Sequence, residues 1–324
     1  MEELNMNKIS IIGGSGFVGT NLCKYLSEHQ IDFEIIDLRK SKSFPERCKI
    51  GDVRDLESLR QTVTGQVVVL LAAVHRDDIQ EKSEYTCTNV LGSENVAKIC
   101  TEKGIHKIIF TSTVAVYGFA EPGTGEEGAI NPFNEYGRTK FEAEEKLRSW
   151  LNEDERNALI IVRPTVIFGE GNRGNVYNLL NQIASGRFVM VGNGKNKKSM
   201  AYIGNVTAFL KACLSSEQRY GVYNYIDTPD IDMNTLVAHV RQTLAGKHGV
   251  GLRLPYWIGL VLGYIADGAT RLTGKPLPVS SIRVKKFCAA TQFTSKKNQL
   301  YGFEALYTLS EGLERTLHSE FISP

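Results

Sequence analysis

Lys8-Ile-Ser-Ile-Ile-Gly-Gly-Ser-Gly-Phe-Val-Gly19 decides how the rest of the chain reads. Its apolar opening suits a buried strand, and a helix is expected over residues 17–28. Between them, Gly13, Gly16 and Gly19 form a G-x-x-G-x-x-G pattern. Glycines so placed let the backbone turn tightly, approach a pyrophosphate and seat a helix on a strand, while the helix N-terminus favours the anion. Alone, the pattern also fits a plain tight turn. The next strand, Phe33-Glu-Ile-Ile-Asp37, narrows the choice, because it ends in an acid about twenty residues after the glycines. A carboxylate there accepts both ribose hydroxyls of an adenosine and repels a 2′-phosphate. That order predicts NAD rather than NADP, with nearby Arg39 the one residue that points the other way.

Gly51 to Asp55 closes a short third strand, where Asp52, followed by Val53, can reach an adenine amino group. Gln66 to Ala73 is too uniformly apolar for a half-exposed strand and suits the centre of a parallel sheet. The small Ala72 and Ala73 after Leu71 leave room for a cofactor, or simply pack the sheet. A long helix carrying Asn89 is expected over 83–102, then a fifth strand over 106–111 that runs into Thr111-Ser-Thr-Val-Ala-Val-Tyr-Gly118. Alternating strands and helices of this kind imply an α/β, Rossmann-like doubly wound parallel sheet, with ligands outside the strand ends. Residues 7–174 form the expected cofactor domain, onto which 203–230 packs back, and 175–324 supply mainly a smaller α/β substrate domain.

The composition sets limits. The 324 residues are enough for one large domain or two intimately packed ones, with 42% hydrophobic and 23% charged residues typical of a soluble protein. A net charge of +2 argues against a dedicated nucleic-acid binder. Met1 to Lys8 hold no apolar run, so no signal peptide is expected. The six cysteines are scattered without C-x-x-C, which predicts reduced thiols and no metal site.

Asn134-Glu-Tyr-Gly-Arg-Thr-Lys140 places Tyr136 and Lys140 four residues apart, on one face of a helix. A phenol loses its proton at about pH 10, and a nearby ammonium favours the phenolate, so the pair can supply a base near neutrality. Y-x-x-x-K also occurs on ordinary amphipathic helices.

Taken in order and spacing, the glycine motif, Asp37, Asp52-Val53, Leu71-Ala-Ala73, Thr111–Gly118 and Tyr136–Lys140 make the chain resemble the extended short-chain dehydrogenase/reductases, in their NAD-dependent epimerase/dehydratase branch. The resemblance implies that Tyr136 is the catalytic base, that Lys140 binds the nicotinamide ribose and lowers the tyrosine's pKa, and that Thr113 hydrogen-bonds the substrate hydroxyl. It places Gly13, Ser15, Gly16, Phe17, Val18, Gly19, Asp37, Asp52, Val53, Leu71, Ala72, Ala73 and Pro164 around NAD. Sugar 4,6-dehydratases of the family carry Asp-Glu after the threonine. Here those positions are Val114 and Ala115, which cannot do acid–base chemistry, and reversible oxidation at one carbon remains.

The second half carries the substrate signals. Asn175 falls where relatives hold the sugar diphosphate, with Asn172 and Arg173 as neighbours. Lys198 stands where UDP-sugar epimerases usually have a diphosphate-clamping arginine, keeping charge but losing the bidentate fork. Arg283 could meet a diphosphate or belong to a solvated face. Leu254 to Ala266 has no charged residue over 13 positions, too short to span a membrane, and reads as a core helix or an interfacial one. Ala73–Asp78, Arg163–Glu170, Arg173–Leu180, Lys198–Tyr202 and Val284–Cys288 resemble a narrower group, 4-epimerases acting on N-acetylglucosamine diphosphate-linked to undecaprenol in O-antigen synthesis. That resemblance implies a cytoplasmic enzyme, peripheral at the inner face of the bacterial cytoplasmic membrane, and a homodimer through the helices bearing Asn89 and Tyr136. A UDP-GlcNAc or UDP-glucose 4-epimerase, a 4-reductase and a non-catalytic NAD sensor are the alternatives.

Overall fold

The computed structural model describes residues 8–76, 79, 81–274, 277, 279–300 and 302–322. Residue 7 and residues 323–324 of the expected domains, and Asp77 and Asp78 of the Ala73–Asp78 string, lie outside them. The first half alternates as β1 (Ile9–Ile12), α1 (Phe17–Glu28), β2 (Phe33–Asp37), β3 (Cys48–Ile50), α2 (Leu56–Thr62) and β4 (Val67–Leu70). A one-turn α3 (Ser83–Tyr85) passes through a π-helical turn, Thr86–Leu91, into α4 (Gly92–Lys103). The single helix expected there therefore carries a bulge, and Asn89 sits in it, a placement frequent at functional sites. β5 (Lys107–Thr111), α5 (Glu135–Glu153) and β6 (Ala158–Pro164) follow.

The second half runs β7 (Val166–Phe168), α6 (Asn175–Ala184), β8 (Met190–Val191), β9 (Lys197–Tyr202), α7 (Ile203–Ser215), β10 (Tyr220–Tyr225), β11 (Asp227–Asp232), α8 (Met233–Ala245), β12 (Arg253–Leu254), α9 (Tyr256–Thr273), α10 (Ser281–Cys288) and α11 (Leu309–Leu317). Seven strands form one sheet in the order β10-β6-β5-β4-β1-β2-β3, every pair parallel. The order reverses between β1 and β4, and the crevice outside that switch point is where such sheets bind ligands. Beside it lie a three-stranded sheet, β11-β9-β7, and the β12-β8 pair.

Both faces of the large sheet are covered, which is why its strands read as continuous apolar runs. Alternate residues feed two layers: Ile11, Ile35 and Val69 pack with Leu22 of α1 and Phe209 of α7, while Ile12, Ile36 and Leu70 pack with Val96, Leu147 and Trp150. Each such side chain contributes about 1.5–3 kcal/mol by leaving water. A third cluster, including Phe168, Leu180, Met200, Leu236 and Leu313, holds the second half together.

α9 resolves the two readings of its apolar sequence. Its buried residues are Gly259 and Gly263, while Trp257 is 66% exposed, Ile265 62% and Leu272 90%, so it is not a core helix. Gly263 is where α10 begins against it: a Cβ there would stand 2.7 Å from the Cα of Ser281. No helix among the described residues is long and apolar enough to cross a membrane.

Candidate active site

A cavity of about 900 Å³ opens at the carboxyl ends of β1, β4, β5 and β6, within the size range of a cofactor-plus-substrate pocket. Its floor begins at the β1–α1 turn. Gly13 has φ +87° and lies so close to β4 that a Cβ would meet Ala72 N at 2.5 Å, which only glycine tolerates. Gly16 is the N-cap of α1 and offers no side-chain cap, so the first amides of the helix, at Phe17 and Val18, face the cavity available for an anion. Asp37 lines the same end, its carboxylate fixed by the backbone N–H of Ser15 (3.0 Å) and of Arg39 (3.1 Å). Ser15 itself is not in the lining; its hydroxyl donates to Arg39 O (2.8 Å) and steadies Asp37's loop.

Gly19, Val53, Leu71, Ala72, Ala73 and Pro164 complete the cofactor side of the wall. Asp52 is there too, gripped by the Arg54 guanidinium (2.7–3.0 Å), which holds its carboxyl below the usual range. Uncapped amides at a glycine turn, an acid at the adenosine end and small side chains between them fit NAD. Asp37 would take the ribose hydroxyls, and the α1 amides the pyrophosphate.

The chemical end lies where β5 meets α5. α5 begins there because Asn134 caps it, accepting from Gly137 N at 2.9 Å. Gly137 is also a contact residue: a Cβ would fall 2.5 Å from Ala115 O, so the helix rests directly on the turn that holds Thr113. Thr113 is buried beside the Tyr136 phenol, and its Oγ1 accepts from Ala115 N (3.1 Å). Lys140 is buried one turn further along α5, its ammonium 4.0 Å from the centre of the Phe110 ring. Burial pushes the Tyr136 phenol up to about 12, and the neighbouring Thr113 hydroxyl works against that. Burial likewise pulls Lys140 down to about 7, and Glu144, one turn on, opposes it. The expected lowering of the phenol by Lys140 is therefore not what the structure shows. In an apolar cavity both groups are driven toward their neutral forms.

Behind this end stands a buried ion pair that the sequence reading missed. Glu144, four residues beyond Lys140, accepts from Ser112 Oγ (2.5 Å) and from Arg163 Nε (2.9 Å) and Nη2 (2.5 Å). Arg163 also donates to the Tyr117 hydroxyl (2.7 Å), which donates to Asn224 Oδ1 (2.8 Å). One carboxylate thus ties the residue before Thr113, the helix of Tyr136 and Lys140, and the residue before Pro164. Asn89 is a second tie: it accepts from Val74 N (2.8 Å) and donates to Val74 O and to Thr139 Oγ1 (both 3.0 Å). A polar residue on an expected buried helix face was the only sequence signal for it.

On the substrate side the structure separates the candidates. Asn175 and Asn172 line the cavity, although the Asn172 side chain already closes its own loop through Ile167 O and Gly174 N. Arg173 points elsewhere: it pairs with Glu320 (2.6 Å) and stacks on Tyr177. Lys198 is a correction as well. Strand alternation turns its neighbour Ser199 into the cavity and sends Lys198 to the far side, where its Nζ donates to Lys286 O (2.9 Å) and Ala289 O at the end of α10. Arg283 lies on exposed α10, outside the cavity lining. His75, Phe133, Ser199, Thr291 and Phe293 also complete the wall; His75 and Ser199 fall within the Ala73–Asp78 and Lys198–Tyr202 strings, but neither residue stands out as a site residue there.

A parallel seven-stranded sheet with this site defines a class, and the comparison agrees: the NAD dependent epimerase/dehydratase family matches residues 9–225, and the chain belongs to it. Within it, the N-acetyl-alpha-D-glucosaminyl-diphospho-ditrans,octacis-undecaprenol 4-epimerase of Escherichia coli O157:H7 is 51% identical over 321 residues, covering 98% of this chain and 96% of that protein. The fold is shared with the UDP-glucuronic acid 4-epimerase of Bacillus cereus in complex with NAD (TM-score 0.72, 19% identity, 96% of this chain and 98% of that one). It is shared equally with the UDP-Glc/GlcNAc 4-epimerase of Campylobacter jejuni (TM-score 0.73, 18% identity, 95% and 97%).

Proposed function

We propose that this chain is an NAD-dependent 4-epimerase that interconverts N-acetylglucosamine and N-acetylgalactosamine on undecaprenyl diphosphate, in O-antigen-type polysaccharide synthesis. The observation that carries the substrate is the 51% identity to such an enzyme across nearly the whole of both chains. The site supports the chemistry. Thr113 orients the sugar O4, and Tyr136 beside it takes the O4 proton and later returns it. When bound, NAD would supply reversible hydride acceptance at C4, and its cationic nicotinamide would favour the Tyr136 phenolate against the burial that keeps it protonated. Lys140 would hold the nicotinamide ribose. Val114 and Ala115 line the cavity where a dehydratase needs an acid pair, so the residues present leave C5 untouched.

Of the substrate candidates, Asn175, with Asn172 beside it, would meet the sugar diphosphate. Residues 7–174 act as the NAD unit, with 203–230 returning to it, and 175–324 mainly as the substrate unit. We assign the enzyme to the inner face of the cytoplasmic membrane, as a homodimer through the helices bearing Asn89 and Tyr136, where Leu91 is exposed. Purified protein given GlcNAc-diphospho-undecaprenol and UDP-GlcNAc in parallel tests the reading. Equilibration of the lipid-linked sugar is expected. Conversion of the UDP-sugar alone would overturn the substrate, and conversion of neither would overturn the activity.

A further inference from the structure

The α9–α10 hairpin has a face that the cavity does not use. Trp257, Val261, Tyr264, Ile265 and Leu272 recur along one side of α9, and all are exposed. Their spacing of four, three, one and seven makes one stripe, and an apolar stripe on a surface helix requires a cover. Its chemistry specifies which cover. Tyr and Trp are the side chains suited to a boundary between hydrocarbon and water. Basic residues rim the stripe: Arg271 ends α9, and Arg283, Lys285 and Lys286 lie on α10. The one carboxylate of the two helices, Asp267, is engaged by Ser281 through its hydroxyl (2.5 Å) and N–H (3.2 Å). The face is thus apolar at its centre and cationic at its edge, as an anionic bilayer surface requires.

It is also continuous with the site. Lys285 stands over Tyr264 at 5.5 Å, and Lys286 stands over Phe133 at 5.1 Å. Phe133 lines the cavity and stacks on Phe119, 68% exposed, at 4.6 Å. A line of aromatic and basic groups therefore runs from α9 to the cavity mouth.

We propose that the α9–α10 hairpin docks on an anionic phospholipid surface and turns the cavity mouth toward it, so that the sugar diphosphate enters while the polyprenyl chain stays in the bilayer. The inference rests on the lipid-linked substrate proposed above. Its test uses the full-length protein, vesicles of phosphatidylethanolamine and phosphatidylglycerol, and two forms of substrate, one in the vesicles and one on a short water-soluble prenyl chain. Trp150 is buried, so Trp257 emission reports docking, and a blue shift on adding vesicles is expected. Removing charge at Arg271 and Lys285 (R271Q/K285Q) should weaken vesicle binding by about fivefold per residue.

Ile265→Glu, at an exposed position that spares the fold, should abolish docking and turnover in vesicles while turnover of the soluble substrate stays unchanged. Parent protein that ignores these vesicles overturns the docking surface. So does an Ile265→Glu variant that docks normally, or a dimer in solution that this substitution breaks. Failure on the soluble substrate as well, by the parent, would instead overturn the substrate assignment.

Discussion

Glu144→Gln is the sharpest structural perturbation of this site. The substitution preserves size but removes the charge facing Arg163, and both residues are almost completely buried. Breaking one partner of a buried pair costs about 3–5 kcal/mol, because the remaining charge stays out of water. Gln retains one acceptor oxygen, so the lower end, roughly 3 kcal/mol, is expected. Total stabilities are on the order of 5–15 kcal/mol, and with an unfolding entropy of about 2.1 cal/mol/K per residue such a loss should lower Tm by roughly 4 °C. The pair to Arg163 holds the Glu144 carboxyl below its ordinary range against its own desolvation. A carboxyl lowered in the folded state stabilises above its unfolded pKa, and that contribution is lost as pH falls through the folded value. The gap between parent and variant should therefore be full at neutrality and close only in acid, below about pH 4. Glu144 also opposes the discharge of Lys140. Its loss should move the alkaline limb of kcat/KM to lower pH, a shift that a purely structural role would not produce. Thermal unfolding from pH 3 to 8 and a pH–rate profile check both. A variant with parental stability and an unshifted profile refutes the reasoning.

Lys140→Met should stabilise the ligand-free protein at neutral pH while nearly abolishing turnover. Burial holds the lysine near 7, so folding releases a proton between that value and the ordinary lysine pKa. Parental stability accordingly rises with pH through that window, and the advantage of the methionine, read by thermal unfolding, should fade toward pH 10. Gly137→Ala drives a methyl to 2.5 Å from Ala115 O and must lift α5 off the Thr113 turn. A loss of more than tenfold in kcat is expected with NAD affinity, measured by calorimetry, little changed. Parental kcat would show that the contact does not position Thr113 against Tyr136.

The doubly wound sheet was legible because buried parallel strands write themselves as apolar runs, and Ile9–Ile12, Val67–Leu70 and Ala158–Pro164 all do. Tyr136 and Lys140 were legible for a local reason: a helix puts residues four apart on one face. Charges were harder, since a cation's partner is chosen by tertiary packing. Lys198 and Arg173 read as diphosphate contacts, yet the first caps α10 and the second pairs with Glu320, 147 residues away. The Ser112–Glu144–Arg163 link was hidden likewise, with its partners 32 and 19 residues apart, on α5, β6 and the turn after β5. An apolar segment such as Leu254–Ala266 has the same pattern inside or outside a protein, and only its neighbours decide.

Epimerisation at C4 through this site makes one demand that neither a 4-reductase nor a non-catalytic NAD sensor shares: the hydrogen removed from C4 must return to the same carbon of the same sugar. The direct measurement uses GlcNAc-diphospho-undecaprenol carrying deuterium at C4, purified protein and no added reductant, with the product read by mass spectrometry and NMR. The account predicts GalNAc-diphospho-undecaprenol with deuterium retained at C4 and no net consumption of NAD. Deuterium lost to water, or product formed only in proportion to added reduced cofactor, would contradict it.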